Sequence, residues 1–344
     1  MQVPRKRIIV QRPGSRKALS FDETPIGRPK SGEIQVEVKA CGINFADIAV
    51  RLGLYEAAKG MYPLCPGLEF AGIVSHKGEE VNEFSVGDRV FGASRFGGYT
   101  TVINCPSEHL WKMPADWDFS RGATFTVPYL TAYYGLHSIG HLKKSDIVLV
   151  HSAAGGVGTA LVHLLKVNGN TCVGIVGLTE KISAVKQAGA DFVVDKSRKK
   201  LWERAEVISP GGYDMILDAN GATTLKESYN HIKPSGRLLV YGFSSMFSSS
   251  GHKNWPKLIR DYFRTPRFNP FELTGSNKTV SGFNLIYLFE NVAFFRDIMA
   301  DLVEYASKKR MPRMPVSEYA FEDVADAHRA LESGKTIGKL VLVV

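Results

Sequence analysis

Cysteine is scarce: the chain has four in 344 residues, at positions 41, 65, 105 and 172, and no two form a C-x-x-C pair. This excludes a disulfide framework and a cysteine-rich zinc lobe, and it fits a reducing compartment. Long apolar runs are missing too, and none approaches the ~18 residues a transmembrane helix needs. The basic start MQVPRKR is followed by only IIV before Gln11, too short for a secretory core of ~7–15 apolar residues. The expected location is the cytoplasm. Acidic residues are the minority, 34 against 43 Lys and Arg, giving a net charge of +9. The excess basic residues cluster in PRKR (4–7), KSRKK (196–200), KLIRDYFRTPR (257–267) and KKRMPR (308–313). Such clusters read as a solvated basic surface, or as attraction for a polyanionic cofactor or an acidic membrane. No nucleic-acid motif accompanies them, so nucleic acid is not an expected partner.

With 44% hydrophobic and 22% charged residues, the composition is that of a globular protein. The length suggests two domains. From 30 to 126 short alternating segments such as EIQVEVKA (33–40) and DRVFGAS (88–94) are punctuated by glycine turns, which predicts a compact β-rich domain. After about residue 127 wholly apolar strands alternate with helices: DIVLVHSAAGGVGTALVHLLKVNG, NTCVGIVG, EKISAVKQAG, ADFVVD, YDMILDANG and GRLLVYGF. That pattern predicts an α/β doubly wound parallel sheet covered on both faces. Residues 243–278 break the rhythm with a serine-rich, then basic and aromatic stretch. It reads either as a variable surface excursion or as a lid or contact surface beside a crevice. TVSGFNLIYLF is expected to be the last strand, followed by a helix around 291–308.

In HSAAGGVG (151–158), Ala153, Gly155 and Gly158 hold the three positions of G-x-G-x-x-G. The motif follows a predicted strand and opens a helix, where backbone N–H groups and the helix N-terminus can meet a pyrophosphate. Ala154, Gly155, Gly156 and Val157 therefore form the expected phosphate cradle. An NAD site would place Asp or Glu at the end of the second strand, but Gly177 stands there. Lys181 follows, and Lys196 lies just beyond the third strand, which favours the 2′-phosphate of NADPH; Glu180 could turn inward instead.

CGINFAD (41–47) poses the remaining choice among metal ligands, a thiol nucleophile and a polar clamp. A reactive thiolate needs a nearby base or positive field. Cys41 ends an alternating strand and is expected to be buried and inert.

CGINFAD, PGLEFAGIV, GDRV, TAYYGL, HSAAGGVG, ISPGGYDMILDANG and GKLVLVV, in this order, resemble the quinone oxidoreductase branch of the medium-chain dehydrogenase/reductases. YNHIKPSGRLLVYGFSS and SGFNLIYL look most like its vesicle amine transport protein subgroup. The resemblance implies a GroES-like catalytic domain from both chain ends (1–126 and 290–344) and a Rossmann NADPH-binding domain between them (127–289). It also implies a dimer paired through the last Rossmann strand, and no metal. Zinc-dependent relatives carry cysteine and histidine where this chain has Asn44 and Leu68, neither of which supplies a thiolate or imidazole.

On the same resemblance, Asn44, Asp47 and Tyr55 are the expected catalytic residues. Asn44 would bond the nicotinamide ribose or the substrate oxygen, Asp47 would orient neighbours, and Tyr55 would donate a proton. Asn44 and Asp47 can equally cap a helix beginning near Phe45. Asn44, Thr131, Asn220, Tyr241, Gly242, Phe283, Asn284 and Lys339 are the expected further cofactor contacts. The implied activity is NADPH-dependent hydride transfer to quinones or related α,β-unsaturated carbonyls. The alternative is an NADPH-binding interaction or membrane-associated protein with vestigial turnover, using 243–278.

Overall fold

The computed structural model describes residues 2–198, 200–308 and 311–344. Lys199, Lys309 and Arg310, parts of two of the basic clusters, lie outside the described residues.

The alternating segments form a seven-stranded sheet. Its spatial order is Val316–Ala320, Lys339–Val343, Glu33–Ile43, Glu69–Lys77, Arg89–Ala93 and Leu110–Lys112, with Val102–Pro106 paired separately to Glu33–Ile43. The C-terminal strand runs antiparallel to Glu33–Ile43, matching Leu340 to Ile43 and Val341 to Gly42. This sheet is thus assembled from both ends of the chain. Gly42 is needed there, because a Cβ would lie 2.1 Å from the Ala123 carbonyl oxygen.

The wholly apolar strands form a six-stranded parallel sheet in the order Phe192–Asp195, Thr171–Val176, Ile147–Val150, Tyr213–Asp218, Ile232–Val240, Thr279–Gly282. Val148, Leu149, Val150, Ile216 and Leu238 are fully buried, as strands covered on both faces require. The last strand is shorter than the apolar run suggests. Pairing stops at Gly282, and Leu285–Leu288 turns into a short 3-10 helix. The following helix, Val292–Ser307, packs Phe295, Ile298, Met299 and Leu302 into the same core as Leu130, Ala132 and Leu164.

Segment 243–278 divides in two. Its start runs along the inter-sheet crevice and is held there by buried charge. Arg51 and Glu332, both without exposed side-chain surface, form an ion pair that Arg16 joins. Arg51 also donates to the carbonyls of Gly14 (3.2 Å) and Gly251 (3.1 Å). One cluster therefore ties the N-terminal segment, the helices Phe45–Leu52 and Val324–Glu332, and the excursion together. The second part forms the helices Trp255–Arg264 and Pro270–Ser276.

Candidate active site: a cofactor cleft between the two sheets

A cleft of roughly 1060 Å³ runs between the two sheets. Its walls include Asn44, Tyr55, Thr131, Ala154, Gly155, Gly156, Val157, Gly177, Lys181, Lys196, Asn220, Tyr241, Gly242, Phe283, Asn284 and Lys339. The geometry thus gathers every expected site residue except Asp47, which is fully buried behind the wall.

Asp47 has a structural task. Its carboxylate accepts the N–H of Asn44 (2.7 Å) and that of Gly67 (2.9 Å). Asn44 is the N-cap of Phe45–Leu52, and the Asp47 carboxylate on its N–H forms one half of the cap the local pattern allowed. Burial pushes the Asp47 carboxyl up to about 6, with the two N–H bonds opposing.

The side chain of Asn44 belongs to a second network. Lys339 Nζ lies 2.8 Å from Asn44 Oδ1, 2.7 Å from Glu69 Oε1 and 2.5 Å from the Ile43 carbonyl oxygen. Asn44 Nδ2 donates to Glu69 Oε1 at 3.0 Å, and Glu69 Oε2 accepts the Val127 N–H at 2.9 Å. An ammonium has three donors, and here three acceptors take them. Lys339 therefore faces the cleft with its stem: a Cβ built on Gly156 would lie 2.9 Å from Lys339 Cδ. Asn44 keeps one amide hydrogen for a ligand. A metal ion does not fit this donor set, because a cation already neutralises Glu69 and Leu68 offers no lone pair. Cys41 is fully buried, and burial raises its thiol far above the ordinary value.

The glycine turn is built for a dinucleotide. Gly155 caps the helix Gly156–Asn168, and a Cβ on Gly158 would lie 2.2 Å from the Ser152 carbonyl, so only glycine lets helix and strand approach. Among the described residues, three buried polar atoms in the cleft wall lack partners: Tyr241 Oη, Asn220 Nδ2 and Ser245 Oγ. Buried polar groups normally find hydrogen bonds, so these atoms await a polar ligand. Lys181 and Lys196 both line the cleft beside Gly177. Both ammonium groups are depressed, Lys181 by burial and then by the like charge of Lys196, Lys196 by desolvation despite the Asp218 carboxylate. An anion between them would relieve that repulsion. Glu180 is exposed and does not line the cleft.

Elsewhere in the cleft wall, Tyr55 Oη donates to Asn284 Oδ1 at 3.0 Å, across the two sheets. Burial pushes the Tyr55 phenol up to about 12, so it keeps its proton at neutral pH. His151, fully buried, bonds Ser228 Oγ at 3.0 Å and plays no part in the cleft wall. Sequence reasoning missed His109, Trp111, Phe243, Phe247 and Phe289, which also line the cleft. No motif marks them, although Phe243 and Phe247 open the excursion whose length was the available signal.

Residues 30–115 match the alcohol dehydrogenase GroES-like domain, and residues 188–342 match a family described as zinc-binding dehydrogenase. The zebrafish (Danio rerio) synaptic vesicle membrane protein VAT-1 homolog is 35% identical over 319 residues, 92% of this chain and 65% of that protein. The chain thus spans just under two thirds of that relative's length. The human (Homo sapiens) protein of the same name is 32% identical over 315 residues, 92% of this chain and 80% of its own length. Among solved structures, Escherichia coli quinone oxidoreductase complexed with NADPH superposes with a TM-score of 0.86 at 28% identity, covering 98% of this chain and 100% of that one. The human VAT-1 homolog-like protein gives 0.85 at 28%, covering 99% and 98%.

Replacing both lysines, Lys181→Ala with Lys196→Ala, is expected to weaken NADPH binding by roughly tenfold or more, since hydrogen bonds to charged groups contribute ~1.5–3 kcal/mol. NADH binding should change little. Fluorescence titration with both cofactors checks this, and an equal loss for both would remove the lysines from the phosphate site.

Proposed function

We propose that this chain, which belongs to the quinone oxidoreductase branch of the medium-chain dehydrogenase/reductases, reduces quinones or related α,β-unsaturated carbonyls with NADPH. The observation that carries this reading is the pairing of a phosphate cradle with an apolar, proton-bearing end of the same cleft. NADPH, when bound, supplies the hydride. The chain's residues supply position, dryness and a proton. The glycine turn and the helix N-terminus hold the pyrophosphate, and the lysine pair takes the 2′-phosphate. Leu68, Trp111, Phe283 and Phe289 exclude water from the acceptor carbonyl. The remaining amide hydrogen of Asn44 and the Tyr55 hydroxyl meet the developing oxyanion, and Tyr55 or water returns the proton. The Lys339 ammonium keeps Glu69 neutralised and Asn44 oriented, and the reaction runs without a metal.

We place the working unit in the cytoplasm as a homodimer through the free edge of Thr279–Gly282, an end strand of its sheet.

Purified protein should oxidise NADPH with ortho- or para-quinones, and a chelator should leave the rate unchanged. Tyr55→Phe is the cleaner variant, since Asn44→Ala also takes an acceptor from Lys339. Each should lower kcat by roughly a hundredfold, the low end of the ~10²–10⁴ range for general acid–base groups. Normal turnover in both variants would contradict the assignment.

A second reading, contact with an acidic membrane surface, is favoured by one observation. The helix Trp255–Arg264 is inside-out. Its Asp261 is fully buried against Lys257, whereas Trp255, Ile259, Tyr262 and Phe263 are 60%, 56%, 64% and 77% exposed. Lys253, Arg260, Arg264 and Arg267 flank that apolar arc, the composition of an interfacial helix on anionic lipid. Vesicles containing phosphatidylserine should co-sediment the protein, and Ile259→Glu with Phe263→Glu should abolish this. No sedimentation of the unmodified protein would dismiss this reading.

A further inference from the structure

Behind the cleft lies a second cavity of about 370 Å³. The two cavities share Ser94, His109 and Phe289 in their walls. The partition is therefore largely a pair of rings, His109 and Phe289, with centroids 4.2 Å apart. Among the described residues the buried ring nitrogens of His109 make no full hydrogen bond, and the polar group beside them is the Phe289 backbone. Burial lowers its basicity, which keeps the ring neutral. Rotation of these two rings would join the two cavities.

The second cavity carries positive charge of its own. Arg5, Arg7 and Arg95 line it. Arg5 and Arg7 are two residues apart where the chain enters the strand Arg7–Val10, and extended chain turns residues at that spacing to one side. Each is tied back through Nε, Arg5 to the Thr24 carbonyl at 3.0 Å and Arg7 to Asp22 at 2.6 Å. Among the described residues, the terminal nitrogens of both have no hydrogen-bond partner. Arg95 lies 3.8 Å from Glu290. Three guanidinium groups thus stand against two carboxylates, a surplus of positive charge in a space whose other lining mixes Ile26, Phe96, Val102 and Ile103 with Thr100 and Asn104. Paired, planar guanidinium donors suit a carboxylate. Phe96 adds an independent sign. It holds φ at 81°, a costly conformation for a bulky residue, and its ring packs edge-on against Tyr55 at 6.2 Å. Strain of this kind concentrates at working sites.

We propose that this cavity receives the carboxylate end of an unsaturated carbonyl substrate whose reducible carbon lies in the main cleft, with Arg5 and Arg7 as the anchor. The proposal rests on the reductase reading and narrows its substrate class to enones with an anionic tail. In the reaction the hydride of NADPH forms a bond to the β-carbon and the α-carbon takes a proton from Tyr55 or water. The C=C bond is reduced, NADPH becomes NADP⁺, and the carboxylate is unchanged. Arg5 acts as a specificity residue and does not touch the reacting atoms.

The test uses straight-chain enones of increasing length ending in a carboxylate, their methyl esters, and a plain quinone. At the best length the acid should show a kcat/KM at least roughly tenfold above its ester, the scale of a charge-assisted hydrogen-bond pair. Arg5→Gln should erase that preference by raising KM for the acid, with kcat and the ester and quinone kinetics unchanged; those controls also report correct folding. Equal rates for acid and ester at every length, or a preference that survives Arg5→Gln, would overturn the proposal. If neither enones nor quinones are reduced, the reductase reading fails instead. Calorimetry with the saturated acid then decides this site: binding lost in Arg5→Gln supports it, and no binding to the unmodified protein refutes it.

Discussion

The contact on which this structure depends most is the one between the Lys339 ammonium and the Glu69 carboxylate, 2.7 Å apart and almost without exposure to solvent. Two charges taken out of water are tolerated only when further hydrogen bonds satisfy both. Lys339 meets that condition through Asn44 and the Ile43 carbonyl, and Glu69 through Asn44 and the Val127 N–H. These partners sit on the C-terminal strand, on the strand Glu33–Ile43, on Glu69–Lys77, and at the start of the helix Thr126–Tyr133. The same group thus closes the sheet made from both chain ends and docks it beside the parallel sheet. It also commits the side chains of Asn44 and Glu69 to an ammonium.

Around this fixed point the cleft carries a graded field. Partial positive charge from the helix Gly156–Asn168 lies at its middle, two mutually repelling lysines at one end, and a proton-bearing phenol among apolar rings at the other. The buried Arg51–Glu332–Arg16 cluster holds the beginning of the serine-rich excursion along the opening, where Phe247 stacks near Phe45 with centroids 6.2 Å apart. Substrate and cofactor therefore meet a cleft whose walls come from distant parts of the chain but whose charges are locally arranged.

Much of this was legible in the chain itself, wherever the physics was local. Period-two alternation and uninterrupted apolar runs distinguish a half-exposed sheet from a doubly covered one. The turn AAGGVG sits in its strand–helix setting within a few residues. The replacement of ligands by Asn44 and Leu68 is visible as a bare change of residue type. The capping geometry of Asn44 and Asp47 is also local, and it accounts for Asp47 lying behind the cleft wall. What the sequence could not reveal was long-range pairing. Nothing marks Lys339 as the partner of Asn44 and Glu69, or Arg51 as the partner of Glu332. The inside-out setting of Trp255–Arg264 is equally hidden, since amphipathicity states that two faces differ but not which one faces the body. The last parallel strand ends earlier than its apolar run suggests, because the apolar residues of NLIYL serve a 3-10 turn as readily as a strand.

The most direct test of the account is equilibrium unfolding of Lys339→Met, alone and combined with Glu69→Gln. Removing one partner strands a buried charge, so the single variant should lose about 3–5 kcal/mol, and neutralising Glu69 in the same chain should recover most of it. A loss below ~1 kcal/mol, the scale of an exposed ion pair, with no recovery in the double variant, would contradict the claim that this ammonium organises the site.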